Sequence, residues 1–274
     1  MPEGHTIHRL ALDHQRDLAG DVVSVSSPQG RHPALAALLD GLYLERVEAL
    51  GKHLFYHWRD GPMLHIHLGL IGHFGTQPSP PPAPKSSTQL RLAGSRATVD
   101  LFGATTTELV DDDRLAQIRA RIGPDVLAAD ADPERAWHRL SRRAIPIGQA
   151  LLDQQILSGV GNVYRAEALF VNGIHPQRAA SSLSRAEFDA LWQTLATMLR
   201  QGVADRRIIT VHPSERNGSA DASIETIAPE DAFYVYKRDR CRRCGTPVRA
   251  WPLGPRRAYA CERCQPPPTP AASA

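Results

Sequence analysis

The sequence predicts a protein of the α+β class. It should comprise an N-terminal helix with an antiparallel β-sandwich domain, an α-helical domain, and a small C-terminal β-hairpin that holds a metal ion. Three observations support this class. Short, partly alternating apolar runs occupy residues 22–102, helical periodicity extends from about residue 105 to 202, and all four cysteines lie between positions 241 and 264. A chain of 274 residues exceeds the usual size of one hydrophobic core, so more than one domain is expected.

Each element has its own signal. Ile7, Leu10 and Leu18 share one face of a predicted amphipathic helix over residues 7–18. The strand runs are VVSVS, LYLERVEAL, HLFYHW, MLHIHL, LRLA and TVDLF, with Gly, Pro and Asp between them. Helices are predicted over residues 134–141, 147–158, 162–171 and 184–202.

The remaining segments set the domain boundaries. Residues 205–231 have the composition of a loop, and FYVYKRDRC after them is expected to begin as a strand that runs into the cysteines. The tail QPPPTPAASA has no side chain that could form a core, so disorder is expected there. The predicted division is a β-sandwich domain over 1–110, a helical domain over 111–230, a metal-held ribbon over 231–266 and a disordered tail over 267–274.

Composition excludes several classes of protein. Hydrophobic residues make up 42% and charged residues 22% of the chain, values that argue against global disorder. The sequence contains no apolar run of about 18 residues, which excludes a spanning helix and a membrane partner. The start, MPEGHTIHRLALDHQ, has charges and histidines where a signal peptide needs an apolar segment. We therefore expect a cytoplasmic protein.

The small net charge of +3 conceals a strongly basic segment. Residues 237–263 contain nine basic and two acidic residues, so this segment carries a charge of +7. A local basic module on a nearly neutral body indicates a docking surface for a polyanion. The alternative is a solvated arginine-rich face, which is common for charge runs.

The cysteines have the spacing of a metal site. Cys241, Cys244, Cys261 and Cys264 form CxxC, sixteen intervening residues and a second CxxC, a pattern typical of a closed tetrahedral zinc site. The alternative, two disulfides, is disfavoured in a reducing compartment. We therefore expect one structural Zn²⁺, without a catalytic role, and no organic cofactor.

Two segments have residues suited to binding phosphate. Arg256 and Arg257 lie where a hairpin would turn back toward Cys261, and a guanidinium on a metal-held loop is a good phosphate ligand. Asn162 follows the flexible pair Gly159 and Gly161 at a predicted helix start, in the N-cap position, where free N–H groups bind anions. A surface arginine or an ordinary capped helix would have the same sequence.

The N-terminus offers a nucleophile. Removal of Met1 would leave Pro2 with a secondary amine, which can attack an aldehydic sugar carbon to form an iminium ion. Glu3 could then act as the acid–base group that opens the sugar ring and moves protons. By itself, a Met-Pro-Glu start is more often an ordinary terminus.

Four features in order resemble one known family. MPEGHTIHRLA, GKHLF at 51–55, QQILSGVGNVYRAEALF at 154–170 and the CxxC-x16-CxxC-Q ribbon are together similar to the formamidopyrimidine-DNA glycosylase/endonuclease VIII family. The resemblance spans residues 1 to about 265 and is greatest to the endonuclease VIII-like branch, in particular its actinobacterial members. It implies that the helical domain is a helix–two-turn–helix domain and the ribbon a zinc finger.

The resemblance also implies residue roles. Pro2 would be the nucleophile that forms a Schiff base with the deoxyribose C1′, and Glu3 the general acid–base residue. Lys52, Asn162 and Arg256 would hold phosphates around a flipped nucleotide. Arg257 lies next to Arg256, so the arginine role is less sharply assigned than the other two. The implied activity is that of a bifunctional glycosylase/AP lyase, a monomer that removes oxidised bases, expected to be pyrimidines, from damaged double-stranded DNA and nicks the strand by β,δ-elimination.

The segment LGLIG at 68–72 corresponds to the family's void-filling loop and points to Leu70 and Ile71. It departs from the Gln-Leu-Tyr triplet of enterobacterial endonuclease VIII, because Ile71 can neither stack nor hydrogen-bond as tyrosine does. An inserted apolar wedge is the expected replacement.

Three alternatives remain open at this level. His65 and His67 share one strand face and could form a metal pair, although partly buried sheet histidines fit the pattern better. The chain could be a non-catalytic zinc-ribbon DNA-binding protein, or an AP lyase that lacks glycosylase activity. Pro2 and Glu3 favour the enzyme, because a protein that only binds DNA needs no proline at position 2.

Overall fold

The computed structural model describes residues 2–216, 224–228 and 231–268. The chain forms two compact units, Met1–Arg121 and Ile122–Ala274. The finer division predicted at residues 110, 230 and 266 stays a prediction. Most of the predicted disordered tail, from residue 269 onward, lies outside the described residues, as does part of the predicted loop over 205–231.

The first unit consists of helices around an antiparallel eight-stranded sheet, and we number its elements in chain order. The helices are α1 (Gly4–Leu18), α2 (Pro33–Leu39) and α3 (Asp112–Arg121). The strands are β1 (Asp21–Ser26), β2 (Leu42–Leu50), β3 (His53–Trp58), β4 (Met63–His67), β5 (His73–Pro78), β6 (Leu90–Ala93), β7 (Ala97–Phe102) and β8 (Thr106–Val110).

The sheet forms a sandwich of two halves that share strand β1. The order of its strands is β5-β7-β6-β1-β2-β3-β4-β8. Strand β1 belongs to both halves, because its first three residues pair with β2 and its last three pair with β6. Buried side chains from both halves, among them Leu54 and Ile66 on one side and Leu92 and Val99 on the other, share one hydrophobic cluster with α1. The predicted N-terminal helix and antiparallel β-domain are confirmed.

Helix α2 lies inside the region that the sequence analysis assigned to strands. Its sequence PALAALL begins with Pro33 at the first helical turn, where the missing N–H costs nothing. Ala36 and Leu39, three residues apart, are the buried positions of its inner face. The short apolar run therefore follows a helical period, which the strand-rich context concealed.

In its described residues, the second unit contains four α-helices and a two-stranded hairpin. The helices are α4 (Pro133–Leu140), α5 (Ile147–Ala150), α6 (Asn162–Val171) and α7 (Arg185–Ala204), and the hairpin strands are β9 (Arg249–Leu253) and β10 (Arg256–Ala260). Short 3-10 turns cover Ala180–Ser182, Pro213–Glu215 and Ile224–Thr226. Helix α7 is amphipathic, and no described helix is both long and apolar enough to cross a membrane.

Three segments differ from the prediction. Of the helical pattern expected from about residue 105 to 130, only α3 is helical, since Thr106–Val110 forms β8 and the described residues 122–130 contain no helix. The helix expected over 147–158 ends at Ala150, because Gln154 and its neighbours form a turn that leads to Gly159. The expected strand FYVY does not pair with another strand. The backbone N–H groups of Tyr234, Val235 and Tyr236 instead donate to the buried Glu167 carboxylate, at 2.7, 2.9 and 2.8 Å.

Three histidines of the first unit are held in the neutral form by burial. Burial lowers the pKa of His14 to about 4, with Arg9 adding to the effect while Asp13 and Asp17 oppose it. Burial also lowers the pKa values of His5 and His53, each to about 3. In the core, His14 Nδ1 lies 2.6 Å from the Tyr56 hydroxyl oxygen.

We predict that the protein loses stability in mild acid. A folded-state pKa below the unfolded value means that protons bind the unfolded chain more tightly, so the contribution of His14 is present above about pH 6.5 and is lost as pH falls toward 4. This residue alone should remove about 2 kcal/mol of unfolding free energy between about pH 7 and 5. Urea unfolding at a series of pH values measures the effect.

The variant that combines His14→Leu with Tyr56→Phe removes both polar partners. In this variant, the number of protons taken up on unfolding at about pH 5 should fall by close to one, so the unfolding free energy should depend less steeply on pH. His138→Gln, at an exposed position of the second unit, serves as the control. An unchanged slope in the double variant would contradict the assignment.

Candidate active site and nucleic-acid interface

Pro2 and Glu3 lie at the beginning of the first unit, directly before α1. The backbone carbonyl of Glu3 accepts hydrogen bonds from the N–H groups of Thr6 at 2.9 Å and Ile7 at 3.3 Å, and Thr6 Oγ1 accepts from the Glu3 N–H at 3.5 Å. Glu3 is fully buried, whereas Pro2 is half-buried. The capping of α1 therefore fixes a buried carboxyl group next to Pro2 in the chain.

Lys52 lies on a tight turn between β2 and β3. Leu50 pairs with His53, so the connection has only two residues, and Gly51 has a φ of +60°. Two-residue hairpin turns require such left-handed backbone, which glycine adopts without strain. The turn presents half-buried Lys52 at one end of the sheet.

Behind Lys52 lies a chain of hydrogen-bonded side chains. His65 Nδ1 is 2.9 Å from Glu108 Oε1, and His65 Nε2 is 2.8 Å from His53 Nδ1. Because a carboxylate only accepts, His65 donates from Nδ1, and its Nε2 accepts from His53. His67 packs beside His53 with ring centroids 5.0 Å apart. Neither His65 nor His67 belongs to a group of three potential metal ligands among the described residues, in keeping with sheet histidines.

The turn over residues 68–72 exposes two apolar side chains. Leu70 is 49% and Ile71 81% exposed, while the turn is closed by the Gly72 N–H, which donates to the Leu68 carbonyl at 3.1 Å. A side chain at Gly69 would meet Thr105, and its φ of +68° is left-handed. A hydrogen-bonded turn thus holds two apolar side chains in solvent.

A stacked aromatic pair adjoins this turn, and the sequence analysis did not single it out. The rings of His73 and Phe102 lie 5.0 Å apart at 20°. Gly103, the next residue, lies against the Ile71 side chain. A Cβ atom added at Gly103 would lie 3.7 Å from Ile71 Cγ1. The aromatic pair is thus tied to the turn through His73, whose Nδ1 lies 3.3 Å from the Ile71 carbonyl oxygen.

Asn162 begins helix α6 in the second unit. It is the first helical residue, and Gly161, whose carbonyl accepts from the Arg165 N–H at 3.0 Å, takes the N-cap position predicted for Asn162. Gly159 has a φ of +91°. The Gln154 side chain closes the turn by accepting from the Gly159 N–H at 3.1 Å and donating to the Val160 carbonyl at 3.0 Å.

A buried arginine joins Asn162 to the hairpin. Arg165 is 1% exposed, and its guanidinium donates to the Gly148 carbonyl at 3.0 Å, to the Arg257 carbonyl at 2.6 Å and to Asn162 Oδ1. Asn162 Nδ2 also donates to the Arg257 carbonyl, at 3.3 Å. The sequence analysis missed Arg165. Its signal was a pair of charged residues, Arg165 and Glu167, in YRAEALF, a segment that is otherwise largely apolar and whose residues are all buried.

Arg256 and Arg257 begin β10, immediately after the hairpin turn that contains Gly254. The predicted turn back toward Cys261 is present, with Arg256 opposite Leu253 and Arg257 opposite Pro252. The Arg257 side chain donates to the Ala250 carbonyl of its own hairpin at 3.3 Å. For the half-buried Arg256 guanidinium, the described part of the chain provides no hydrogen-bond partner, so it is the freer of the two cations.

The four cysteines converge at the base of this hairpin. Their sulfur atoms lie within 4.8 Å of one another, with Cys244 Sγ 3.5 Å from both Cys261 Sγ and Cys264 Sγ, and Cys241 Sγ 4.0 Å from Cys264 Sγ. A tetrahedron with metal–sulfur bonds of about 2.3 Å has edges of about 3.8 Å. The cysteines are therefore positioned for metal binding.

Gln265, which follows the last cysteine, ties the ribbon to the helices. It is fully buried, its Oε1 accepts from the Cys261 N–H at 3.2 Å, and its Nε2 donates to the Ile174 carbonyl at 2.8 Å. The glutamine of the CxxC-x16-CxxC-Q motif thus has a structural role.

The site residues fall into two groups. The first unit holds Pro2, Glu3, Lys52, Leu70 and Ile71, and the second holds Asn162, Arg256, Arg257 and the four cysteines. Within the second unit the structure brings Asn162 and Arg257 into direct contact.

Two family models match the chain. The model of the formamidopyrimidine-DNA glycosylase N-terminal domain matches residues 1–115, and that of the formamidopyrimidine-DNA glycosylase H2TH domain matches residues 122–213. Endonuclease 8 1 of Mycobacterium tuberculosis is 43% identical over 272 residues, covering 97% of this chain and all of the relative. The formamidopyrimidine-DNA glycosylase of Herpetosiphon aurantiacus is 32% identical over 286 residues, covering 97% of this chain and all of the relative.

Solved structures show the same fold. Lactococcus lactis Fpg in complex with DNA that contains an abasic site superimposes with a TM-score of 0.78 at 19% identity, covering 96% of this chain and 99% of the other. MutM in complex with DNA that contains carbocyclic 8-oxo-G superimposes with a TM-score of 0.79 at 22% identity, covering 97% of this chain and 100% of the other. The chain therefore belongs to the formamidopyrimidine-DNA glycosylase/endonuclease VIII family of base-excision-repair enzymes, which are DNA glycosylases with AP lyase activity.

Proposed function

We propose that this enzyme removes oxidised pyrimidines from damaged double-stranded DNA through a Schiff base on Pro2, and that it nicks the strand by β,δ-elimination. The observation that carries the mechanism is the start of α1, where the capped and fully buried Glu3 follows Pro2. The preference for pyrimidines is supported by the higher identity to Endonuclease 8 1 than to the formamidopyrimidine-DNA glycosylases.

The chemistry balances with these two residues. After removal of Met1, the Pro2 nitrogen would attack C1′ while the bond to the damaged base breaks and the base departs with the electron pair. Glu3 would protonate the ring oxygen so that the sugar opens to an iminium ion. The Glu3 carboxylate left by that step would accept a C2′ proton as the C3′–O bond breaks and the 3′ phosphate leaves with the electron pair. Loss of a C4′ proton to solvent would then expel the 5′ phosphate as the C5′–O bond breaks, and water would hydrolyse the iminium ion to free Pro2.

The nucleotide must leave the duplex before this chemistry, at a cost of a few kcal/mol. We assign phosphate contacts that hold the distorted strand to Lys52, Asn162 and Arg256, with Arg257 supporting the hairpin through its backbone carbonyl. Leu70 and Ile71 would fill the space that the nucleotide leaves. Their exposure on a rigid turn supports this role, and an apolar wedge needs no hydrogen bond from the opposite base.

We further propose that the cysteine cluster holds one Zn²⁺. Three sulfur–sulfur separations of 3.5–4.0 Å, with all four sulfur atoms within 4.8 Å of one another, suit a tetrahedral thiolate site, and four protein ligands leave no open position for a substrate. Cys241, Cys244, Cys261 and Cys264 would bind the ion, which would supply folding energy to the hairpin that presents Arg256. No organic cofactor is required by the proposed chemistry.

The proposed setting is a cytoplasmic monomer that binds damaged DNA. The mechanism uses one copy of each site residue, so a second subunit is not required. An AP lyase that lacks glycosylase activity is the alternative, and it differs only in its ability to release a damaged base.

We predict that borohydride traps the enzyme on abasic DNA through residue 2. Reduction of the iminium ion gives a stable adduct, and peptide mass spectrometry should map it to Pro2. Pro2→Gly should lower the trapping rate by about a hundredfold or more, because the secondary amine is lost. It should still bind a duplex with a reduced abasic analogue as tightly as the unaltered protein.

An adduct at a lysine, or full trapping by Pro2→Gly, would contradict the proposal. A parallel assay on a duplex that contains an oxidised pyrimidine separates the glycosylase from the AP lyase alternative, since only a glycosylase releases the base.

We predict that metal removal weakens DNA binding. A strong chelator should release one equivalent of zinc and lower affinity for the abasic-analogue duplex by about tenfold or more, because metal binding and hairpin folding are coupled. Metal analysis and binding on the same sample measure both quantities, and restored zinc should restore affinity. Unchanged affinity in a metal-free sample would exclude this role.

A further inference from the structure

A basic cleft of the second unit lies outside the proposed site. It has a volume of about 700 Å³ and is formed by α4 and the turn that follows it. We call it the α4 basic cleft. Its lining residues are Asp132, Glu134, Arg135, His138, Arg139, Arg142 and Arg143.

The two carboxylates of the cleft already have partners. Asp132 is the N-cap of α4, and its Oδ1 accepts from the Arg135 backbone N–H at 2.9 Å. Both oxygens of Glu134 bind the Arg185 guanidinium, Oε2 at 2.9 Å. Within the described ranges, the four cleft arginines form no ion pair. The cleft is lined by four arginines and two carboxylates, so its lining carries a net positive charge.

Two of the arginines are held in place by backbone carbonyls. Arg135 Nη2 donates to the Ile122 carbonyl at 3.3 Å, and Arg139 Nη1 donates to that carbonyl at 3.4 Å and also to the Gln155 carbonyl. A guanidinium carries five N–H donors, so each retains donors for a ligand. Fixed guanidinium forks suit the paired oxygens of a phosphate.

The like charges in this cleft repel one another. The pKa of Arg139 is lowered, first by burial and then by the neighbouring Arg135, while Asp153 opposes the effect. Arg142 and Arg143 add two exposed cations directly after α4. An anion bound in the cleft would relieve this repulsion.

We propose that the α4 basic cleft binds backbone phosphates of undamaged duplex DNA and is a second DNA contact surface, in addition to Asn162 and Arg256. The partner is DNA because the enzyme's substrate is a polyanion and the cleft offers fixed arginine forks. The Arg139 contact to Gln155 also connects the cleft to the turn that leads to Asn162. The proposal rests on the family's action on DNA and is independent of the roles assigned to Pro2 and Glu3.

The test compares two double variants of the intact protein. Arg142→Ala with Arg143→Ala removes two cleft charges. The control, Arg16→Ala with Arg59→Ala, removes two exposed arginines of the first unit that are paired with Asp17 and Glu45. Both lower the net charge equally. Binding to an undamaged duplex of about 30 base pairs is followed by fluorescence anisotropy from about 50 to about 300 mM salt.

The cleft variant should bind undamaged DNA about tenfold more weakly at the lowest salt concentration, and its log–log salt slope should be shallower by about 1 to 2. The control variant should retain the slope of the unaltered protein. At saturating enzyme, the single-turnover nicking of a short abasic duplex should be unchanged. The Pro2 proposal is tested by nicking and borohydride trapping, whereas the cleft proposal is tested by the salt dependence of binding. Either proposal can therefore be wrong without the other.

Identical salt slopes for the cleft variant and the unaltered protein would overturn the proposal, as would an equal loss in the control. If the slopes are unchanged but the variant alone loses binding to poly-glutamate, the cleft is a site for an acidic protein and the DNA assignment is wrong. Should the alanine variant fail to fold, Arg142→Gln with Arg143→Gln provides the same comparison.

Discussion

The second unit of this enzyme is organised around one buried guanidinium. Arg165 is 1% exposed, and burying a charge is costly unless its donors are satisfied. Its hydrogen bonds reach the carbonyls of Gly148 and Arg257 and the Asn162 side chain, so one group joins α5, the start of α6 and the hairpin. Because the guanidinium binds Asn162 Oδ1 and one Nδ2 hydrogen is directed at the Arg257 carbonyl, the second Nδ2 hydrogen is the donor that a phosphate would use. The residue proposed to bind phosphate therefore has a fixed orientation before DNA arrives.

The same helix also organises the approach to the cysteines. Two residues after Arg165, Glu167 is fully buried and accepts hydrogen bonds from Thr210 Oγ1 and from three consecutive backbone N–H groups at 234–236. Burial raises the pKa of this carboxyl group, while these hydrogen bonds oppose the shift. Arg165 thus holds the tip of the hairpin and Glu167 holds the chain that leads into its base. A metal ion at the cysteines would complete a ribbon that helix α6 positions from both sides.

Local patterns in the sequence predicted the parts whose signal is itself local. The cysteine spacing and the apolar runs of β3 and β4 each reflect chemistry within a few residues, whereas the turn over 68–72 was identified by its place in a family resemblance. Two failures arose where distant groups decide the structure, and one arose where a side chain bonds to the turn that follows it. FYVY has the pattern of a strand, but its N–H groups bind Glu167, about 67 residues earlier. Residues 151–158 are not helical because the Gln154 side chain bonds to the following turn. Arg165 was overlooked because its partners at 148 and 257 are remote in sequence.

A double-mutant cycle between Arg165 and Asn162 tests this central interaction most directly. Affinity for an abasic-analogue duplex is measured for Arg165→Lys, Asn162→Ala and their combination, with Arg178→Lys, whose arginine pairs with Glu187, as the matched control. We predict that Arg165→Lys folds and binds metal normally but loses about tenfold in affinity, and that the two changes couple by about 1 kcal/mol or more. Strictly additive losses, or full affinity in Arg165→Lys, would contradict the account.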